Sequence, residues 1–234
     1  MYSLDIIVPF FNEELYLEKS ISNLLSANIH SKIYLVNNNS TDNSKNIALK
    51  FAESREDIIY LETDERKGKG IAIQTAINNL KSTHTIIHDA DLEYDPKDII
   101  YMKQVSEKMS NSLILGSRFI GNRDRKSQYL RTYVANRVIS LFFSILNNQK
   151  ISDVATCYKL VPNKYLKEMN ITENGFAVEV EIISKYLKFP NPDIQEAPIS
   201  YQGRTYEEGK KISYYDGIEY LYKTIYYRIK KISI

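Results

Sequence analysis

The sequence has 234 residues, a formal net charge of +2, 43% hydrophobic and 12% aromatic side chains, and a single cysteine, Cys157. That content can bury one sizeable core, gives no electrostatic basis for a nucleic-acid partner, and excludes an intrachain disulfide, which fits a reducing compartment. No basic leader opens the chain, and its longest apolar run, 138–146, is well short of the ~20 residues that span a bilayer, so the expectation is a cytoplasmic chain that is soluble or at most peripheral.

The first half alternates. Residues 4–8 read as a buried strand and 13–28 as an amphipathic helix. Residues 32–36 predict a strand and 40–54 a helix with Ser40 or Thr41 as N-cap. A strand over 57–61 precedes a helix over 68–81 that glycines open. A strand over 84–88, a helix over 96–109 with Pro at its start and a strand over 112–117 complete the series. Alternation at this spacing predicts an α/β fold with a mostly parallel central sheet flanked by helices. In such sheets ligands bind beyond the carboxyl ends of the strands. That rule gathers "PFFNEE", "NNNSTD", "ERKGKG" and "DADLE" on one rim.

The second half is less regular. It predicts long helices over 127–148 and 176–188, a strand over 193–201, and a Tyr-rich basic helix over 214–234. No repeat, low-complexity tract or linker interrupts it. The chain therefore reads as one domain, 1–234, with halves 1–117 and 118–234 and a C-terminal helical elaboration.

The stretch "IIHDADLEYDP" carries the most chemistry. An apolar strand ends in Asp89, Asp91 and Glu93. An acid-x-acid spacing alone is usually a solvated face, and Glu62/Asp64 and Glu179/Glu181 repeat it. Here it sits at a strand's carboxyl end, where an extended backbone would turn Asp89 and Asp91 the same way. Adjacent carboxylates repel unless a cation joins them. Carboxylate oxygens plus a substrate phosphate suit Mg2+ or Mn2+. Asp89 and Asp91 are the expected metal ligands, with Glu93 a third or a holder of metal-bound water.

The segments "IIVPFFNEE", "VNNNSTDNS", "RKGKGIAIQTA", "DADLEYDP" and "GSRF", followed by "ISDVATCYKLVP", "ENGFAVEVEI" and "APISYQGRTYEEGKKISYYDGI", resemble in that order the family 2 glycosyltransferases of the GT-A (Rossmann-like) fold. The nearest branch holds dolichol-phosphate mannose synthase and bacterial polyprenyl-phosphate sugar transferases. The resemblance covers nearly the whole chain. It implies a nucleotide-sugar donor, a UDP- or GDP-sugar, and inversion at the anomeric carbon. The acceptor would be a polyprenyl phosphate or, alternatively, a saccharide hydroxyl.

By the same resemblance Pro9, Asn12 and Glu13 serve the nucleobase and ribose. Asn38 stands where the family usually has a base-binding Asp, which leaves the nucleobase open. Lys67, Gly68 and Lys69 would lie along the ribose and diphosphate. Asp91 with Arg118, Arg131 and Arg204 would form the catalytic and phosphate-binding set, because the guanidinium fork matches phosphate oxygens. A hydroxyl acceptor would need a carboxylate base, for which Asp153 and Glu179 are candidates. His88 belongs to the strand and receives no catalytic role.

Many bacterial relatives carry C-terminal membrane helices that this sequence does not show. "YLYKTIYYRIKK" suits either an interfacial helix at the inner face of the membrane or packing on the core, and a membrane-protein partner stays open. A sugar-nucleotide nucleotidyltransferase would want a Gly-rich loop after the first strand, where this chain has "PFFNEE". A non-catalytic nucleotide-sugar binder would not need Asp89 and Asp91.

Overall fold

The structure is a computed structural model; it describes residues 1–64, 68–126, 129–205 and 214–230. The elements run β1 (Leu4–Phe10), α1 (Leu17–Ala27), β2 (Lys32–Asn37), α2 (Ser44–Ser54), β3 (Ile58–Glu62), α3 (Lys69–Ile77), β4 (His84–Ile87), α4 (Lys97–Lys108) and β5 (Leu113–Ser117). They continue with β6 (Arg125–Lys126), α5 (Leu130–Asn147), β7 (Lys159–Pro162), α6 (Asn163–Glu168), α7 (Val178–Tyr186), β8 (Ile194–Pro198), β9 (Tyr201–Gln202) and α8 (Tyr214–Ile229).

Seven strands form one sheet in the order β3-β2-β1-β4-β7-β5-β8, and β6 pairs with β9 in a small second sheet. β3, β2, β1 and β4 are parallel, with Val8 opposite Leu35 and Ile6 opposite Ile86. Every residue of β1 is buried, as expected for a strand covered on both faces. The expected α/β architecture, mostly parallel and flanked by helices, is the one observed.

One strand was not expected, and two local expectations need correction. β7 runs antiparallel between β4 and β5. Its four residues, one of them a buried lysine, are too few and too mixed to signal a strand. Helix α2 starts at Ser44 with Asn43 as N-cap, not Ser40 or Thr41. The Ser40 and Thr41 groups bind the 11–13 loop instead: Ser40 Oγ accepts the Asn12 N–H at 3.1 Å, and the Thr41 N–H donates to Asn12 Oδ1 at 2.8 Å. The predicted 193–201 strand is two strands, β8 and β9, in different sheets.

Candidate active site

The carboxyl ends of β1, β2, β4 and β5 converge on a cavity of about 220 Å³. Pro9 and Glu13 enter it from the end of β1, Asn38 from the end of β2, and Gly68 and Lys69 from the start of α3. Asp89, Asp91 and Glu93 follow β4, Arg118 follows β5, and Arg204 follows β9. Most of the residues marked in the sequence therefore meet at one place. Three do not. Asn12 is exposed and ties the 11–14 loop to Thr41 behind Glu13. Arg131 is an exposed residue of α5 whose guanidinium lies 5.1 Å from the Tyr129 ring. Lys67 lies outside the described residues.

The backbone after β4 does not stay extended. It turns over 90–94, with Leu92 at φ 64°, so Asp89 and Asp91 are presented to two different cations. Lys69 Nζ is 2.7 Å from Asp89 Oδ1, and Arg204 Nη2 is 3.2 Å from Asp91 Oδ2. The turn is stitched to the 201–204 segment: Tyr201 donates to Glu93 Oε2 at 2.9 Å, the Arg204 N–H to Glu93 Oε1 at 2.8 Å, and the Gln202 N–H to the Glu93 carbonyl at 2.9 Å. Glu93 thus carries Arg204 to the site. Arg204 also grips Glu13 with both terminal nitrogens, at 3.1 and 3.3 Å.

Burial, the Glu93 and Asp89 charges and a weaker opposing pull from Arg204 push the Asp91 carboxyl up to about 8. Asp89 moves the other way. Burial would raise it, but the Lys69 ammonium, hydrogen bonds with Lys69 and Cys157, and the His88 charge together hold it below the usual carboxylate range. Two carboxylates at one site have thus been driven apart by their surroundings.

Lys69 joins a buried chain of charges. Its Nζ also lies 2.7 Å from Glu179 Oε1, and Lys159 Nζ lies 2.5 Å from Glu179 Oε2. Lys159, fully buried in β7, donates as well to the Val154 carbonyl at 3.3 Å and to the Thr156 carbonyl. Arg118 forms a two-pronged pair with Asp153, Nε to Oδ2 at 2.7 Å and Nη2 to Oδ1 at 2.8 Å. Asp153 has no exposed surface.

The glycines on either side of Lys69 have a structural reason. Gly68 is at φ 102°, and a Cβ there would lie 2.7 Å from the Asn174 carbonyl oxygen. The Gly70 N–H donates to that same carbonyl at 2.7 Å. The 173–175 backbone fills the space that the side chains vacate. Sequence reading also missed the aromatic wall: Phe11, Tyr94, Phe176, Tyr201 and Tyr220 all line the cavity. Tyr94 packs tilted against Tyr158 and edge-on to Tyr201, at ring distances of 4.8 and 5.4 Å. Its position one residue beyond the third acid was the available signal. His88 sits just past β4, buried between Ser20 Oγ and the Tyr158 hydroxyl, which accords with the structural role expected for it.

Among known proteins, the chain is similar to the glycosyltransferase GlyA of Streptococcus pneumoniae serotype 4, 32% identical over 105 residues, 44% of this chain and 15% of the relative. It is similar to the glycosyltransferase AglJ of Haloferax volcanii, 23% identical over 180 residues, 76% of this chain and 56% of the relative. It therefore spans about half or less of the length of these two. A UDP-N-acetylglucosamine–dolichyl-phosphate N-acetylglucosaminyltransferase of Methanococcus voltae is 22% identical over 246 residues, covering 97% of this chain and 96% of the relative.

Among solved structures, glucosyl-3-phosphoglycerate synthase of Mycobacterium tuberculosis, in complex with Mn2+, UDP-glucose and phosphoglyceric acid, superposes with a TM-score of 0.72 at 12% identity over 97% of this chain and 78% of that one. This likeness shows the GT-A fold. Residues 5–169 match the family model described as Glycosyl transferase family 2, and the chain belongs to that family.

Proposed function

We propose that the chain transfers a sugar, with inversion, from a nucleoside diphosphate sugar to a polyprenyl phosphate, and that transfer depends on Mg2+ or Mn2+. The observation that carries the reading is the cavity itself, where two half-buried carboxylates with opposed pKa shifts meet Lys69, Arg118 and Arg204 beyond the strand ends. Among the described residues no three carboxylate, His or Cys side chains cluster for a metal; Asp89 and Asp91 would hold a divalent cation together with phosphate oxygens of the donor. Burial and the Glu93 and Asp89 charges, opposed by Arg204, hold Asp91 near 8. When bound there, the cation neutralises charge that develops on the departing diphosphate.

The chain's own residues supply the rest. Lys69 and Arg204 flank the carboxylates and can follow the diphosphate as charge builds on its oxygens. The Arg204 Nε is buried without an acceptor among the described residues, a donor that a phosphate oxygen would satisfy. Asn38, buried at the end of β2, accepts from Thr63 Oγ1 at 3.3 Å and suits the nucleobase end. The aromatic wall excludes water from the reacting centre.

The carboxylates support a phosphate acceptor. A phosphate acceptor is largely a dianion near neutral pH and needs positioning rather than a base. A saccharide hydroxyl needs a carboxylate base. Asp153 is buried and clamped by Arg118, and Glu179 is shared by two lysines, so neither base candidate is available. The Methanococcus voltae relative, whose name gives a dolichyl-phosphate acceptor, supports the same choice. The test is a panel of UDP- and GDP-sugars with Mg2+ or Mn2+ and a short-chain polyprenyl phosphate, read by mass spectrometry for a glycosylated lipid phosphate. Product with one donor supports the proposal. Product only on a saccharide acceptor overturns the lipid assignment.

A further inference from the structure

Helices α5 and α8 lie against each other, and each has two apolar faces. On α8 the inner face holds Tyr220, Thr224 and Tyr227, all buried. Tyr220 reaches the cavity, and the Tyr227 hydroxyl donates to Glu173 Oε1 at 2.6 Å. About half a turn away, Tyr215, Ile218, Tyr222, Ile225 and Ile229 recur at three- and four-residue steps and are 42–79% exposed.

On α5 the inner face holds Ile139, Ser140 and Phe143. Its opposite face carries Leu130, Val134, Val138, Leu141 and Ile145, 49–77% exposed. A helix that packs one face on a core ordinarily turns a polar face to water. Two adjacent helices here turn a second apolar stripe outward, and the one on α5 is about 22 Å long. Exposed apolar surface on this scale marks an interaction surface.

The charges beside the stripes identify its partner. From residue 125 to residue 152 the chain has Arg125, Lys126, Arg131, Arg137 and Lys150 and no acid. The end of α8 adds exposed Arg228 and Lys230, while Asp216 and Glu219 lie on the flank of its first turns. A twofold contact along α5 would set this cationic run against itself. An anionic bilayer would accept the apolar stripe in its interfacial layer and the cations at its headgroups. No helix among the described residues is long and apolar enough to cross a membrane, so the mode is lateral.

We propose that α5 and α8 together form a docking face for an anionic lipid surface. The proposal rests on the polyprenyl-phosphate reading only for its purpose: it would hold the cavity, which α8 lines through Tyr220, beside a membrane-borne acceptor.

The test uses the full chain and co-flotation with vesicles that contain no polyprenyl phosphate, made of phosphatidylcholine alone or with phosphatidylglycerol. The expected result is binding that requires phosphatidylglycerol and weakens in high salt. The double variant L141E/I225E, altered only at exposed positions, should partition at least tenfold more weakly with an unchanged melting temperature. Equal flotation of wild type and variant overturns the proposal, as does no binding to phosphatidylglycerol vesicles. A dimer seen by light scattering that the variant dissolves, with no vesicle binding, assigns the face to a second copy instead. Vesicle binding without transfer to a soluble short-chain polyprenyl phosphate would sink the proposed function and leave the docking face standing.

Discussion

Replacing Glu179 with glutamine should cost the fold 3–5 kcal/mol at pH 7, the range for removing one partner of a buried ion pair. Glu179 is the counter-ion that Lys159 Nζ meets at 2.5 Å, and both are buried. Lys69 would keep Asp89 at 2.7 Å, so the loss falls on Lys159. Glutamine preserves shape and an acceptor oxygen but not charge. The ammonium can then stay charged and unpaired or give up its proton. From an ordinary lysine pKa of about 10.4, deprotonation at pH 7 costs about 5 kcal/mol, which caps the penalty.

That cap makes the deficit depend on pH. Burial already lowers the Lys159 pKa in the wild type against the opposing pull of Glu179; in the variant that pull is gone and the folded-state pKa falls further below its unfolded value, so the unfolded chain binds the extra proton over a wider pH range. Stability relative to wild type then rises with pH, by up to about 1.4 kcal/mol per pH unit below the unfolded pKa. Urea unfolding followed by far-ultraviolet circular dichroism at pH 7 and pH 9 measures this, since the chain has no tryptophan to report. Adding Lys159→Met to Glu179→Gln should recover most of the loss, because an apolar pair needs no counter-ion. A deficit under about 1 kcal/mol, or one that does not change with pH, would refute the reasoning.

His88 should make the protein acid-sensitive. Burial, opposed by the Asp89 charge, lowers its pKa from 6.5 to about 4. The stability tied to its neutral form is complete above pH 6.5 and declines as pH falls toward 4, by about 3 kcal/mol in all; melting curves of His88→Gln should be flatter across that window than those of wild type. Gly70→Ala should lower stability by about 2 kcal/mol or more, since its methyl would overlap the Glu173 carbonyl, a backbone atom that cannot rotate away. Asp153→Asn should cost about 3 kcal/mol in urea unfolding by leaving the Arg118 guanidinium underpaired in the interior; a variant that unfolds like wild type but loses turnover with a base-type pH profile would return Asp153 to the role of general base.

The parallel half of the fold was readable because each buried strand announces itself and is followed by a helical period. β7 was not readable, since its pairing with β4 and β5 depends on strands far away in sequence. The convergence of the β1, β2, β4 and β5 ends was readable from topology, and it gathers Pro9, Glu13, Asn38, Lys69, Asp89, Asp91, Glu93 and Arg118. The pairing within the site was not. That Glu93 would brace the Arg204 loop, and that Glu179 would sit between two lysines, are tertiary facts with no local signature. The same limit hid the outer stripe on α5. "VISLFFSIL" is apolar on both faces, and only packing decides which face is left outside.

The most direct test of the account is nucleoside diphosphate release, with the donor the panel identifies, in the presence and absence of short-chain polyprenyl phosphate, for wild type and Asp91→Ala. The account predicts release by wild type that requires both the divalent cation and the lipid phosphate, and at least a hundredfold less by the variant, on the order of 3 kcal/mol of lost transition-state stabilisation. Lipid-stimulated release that Asp91→Ala leaves intact would contradict it.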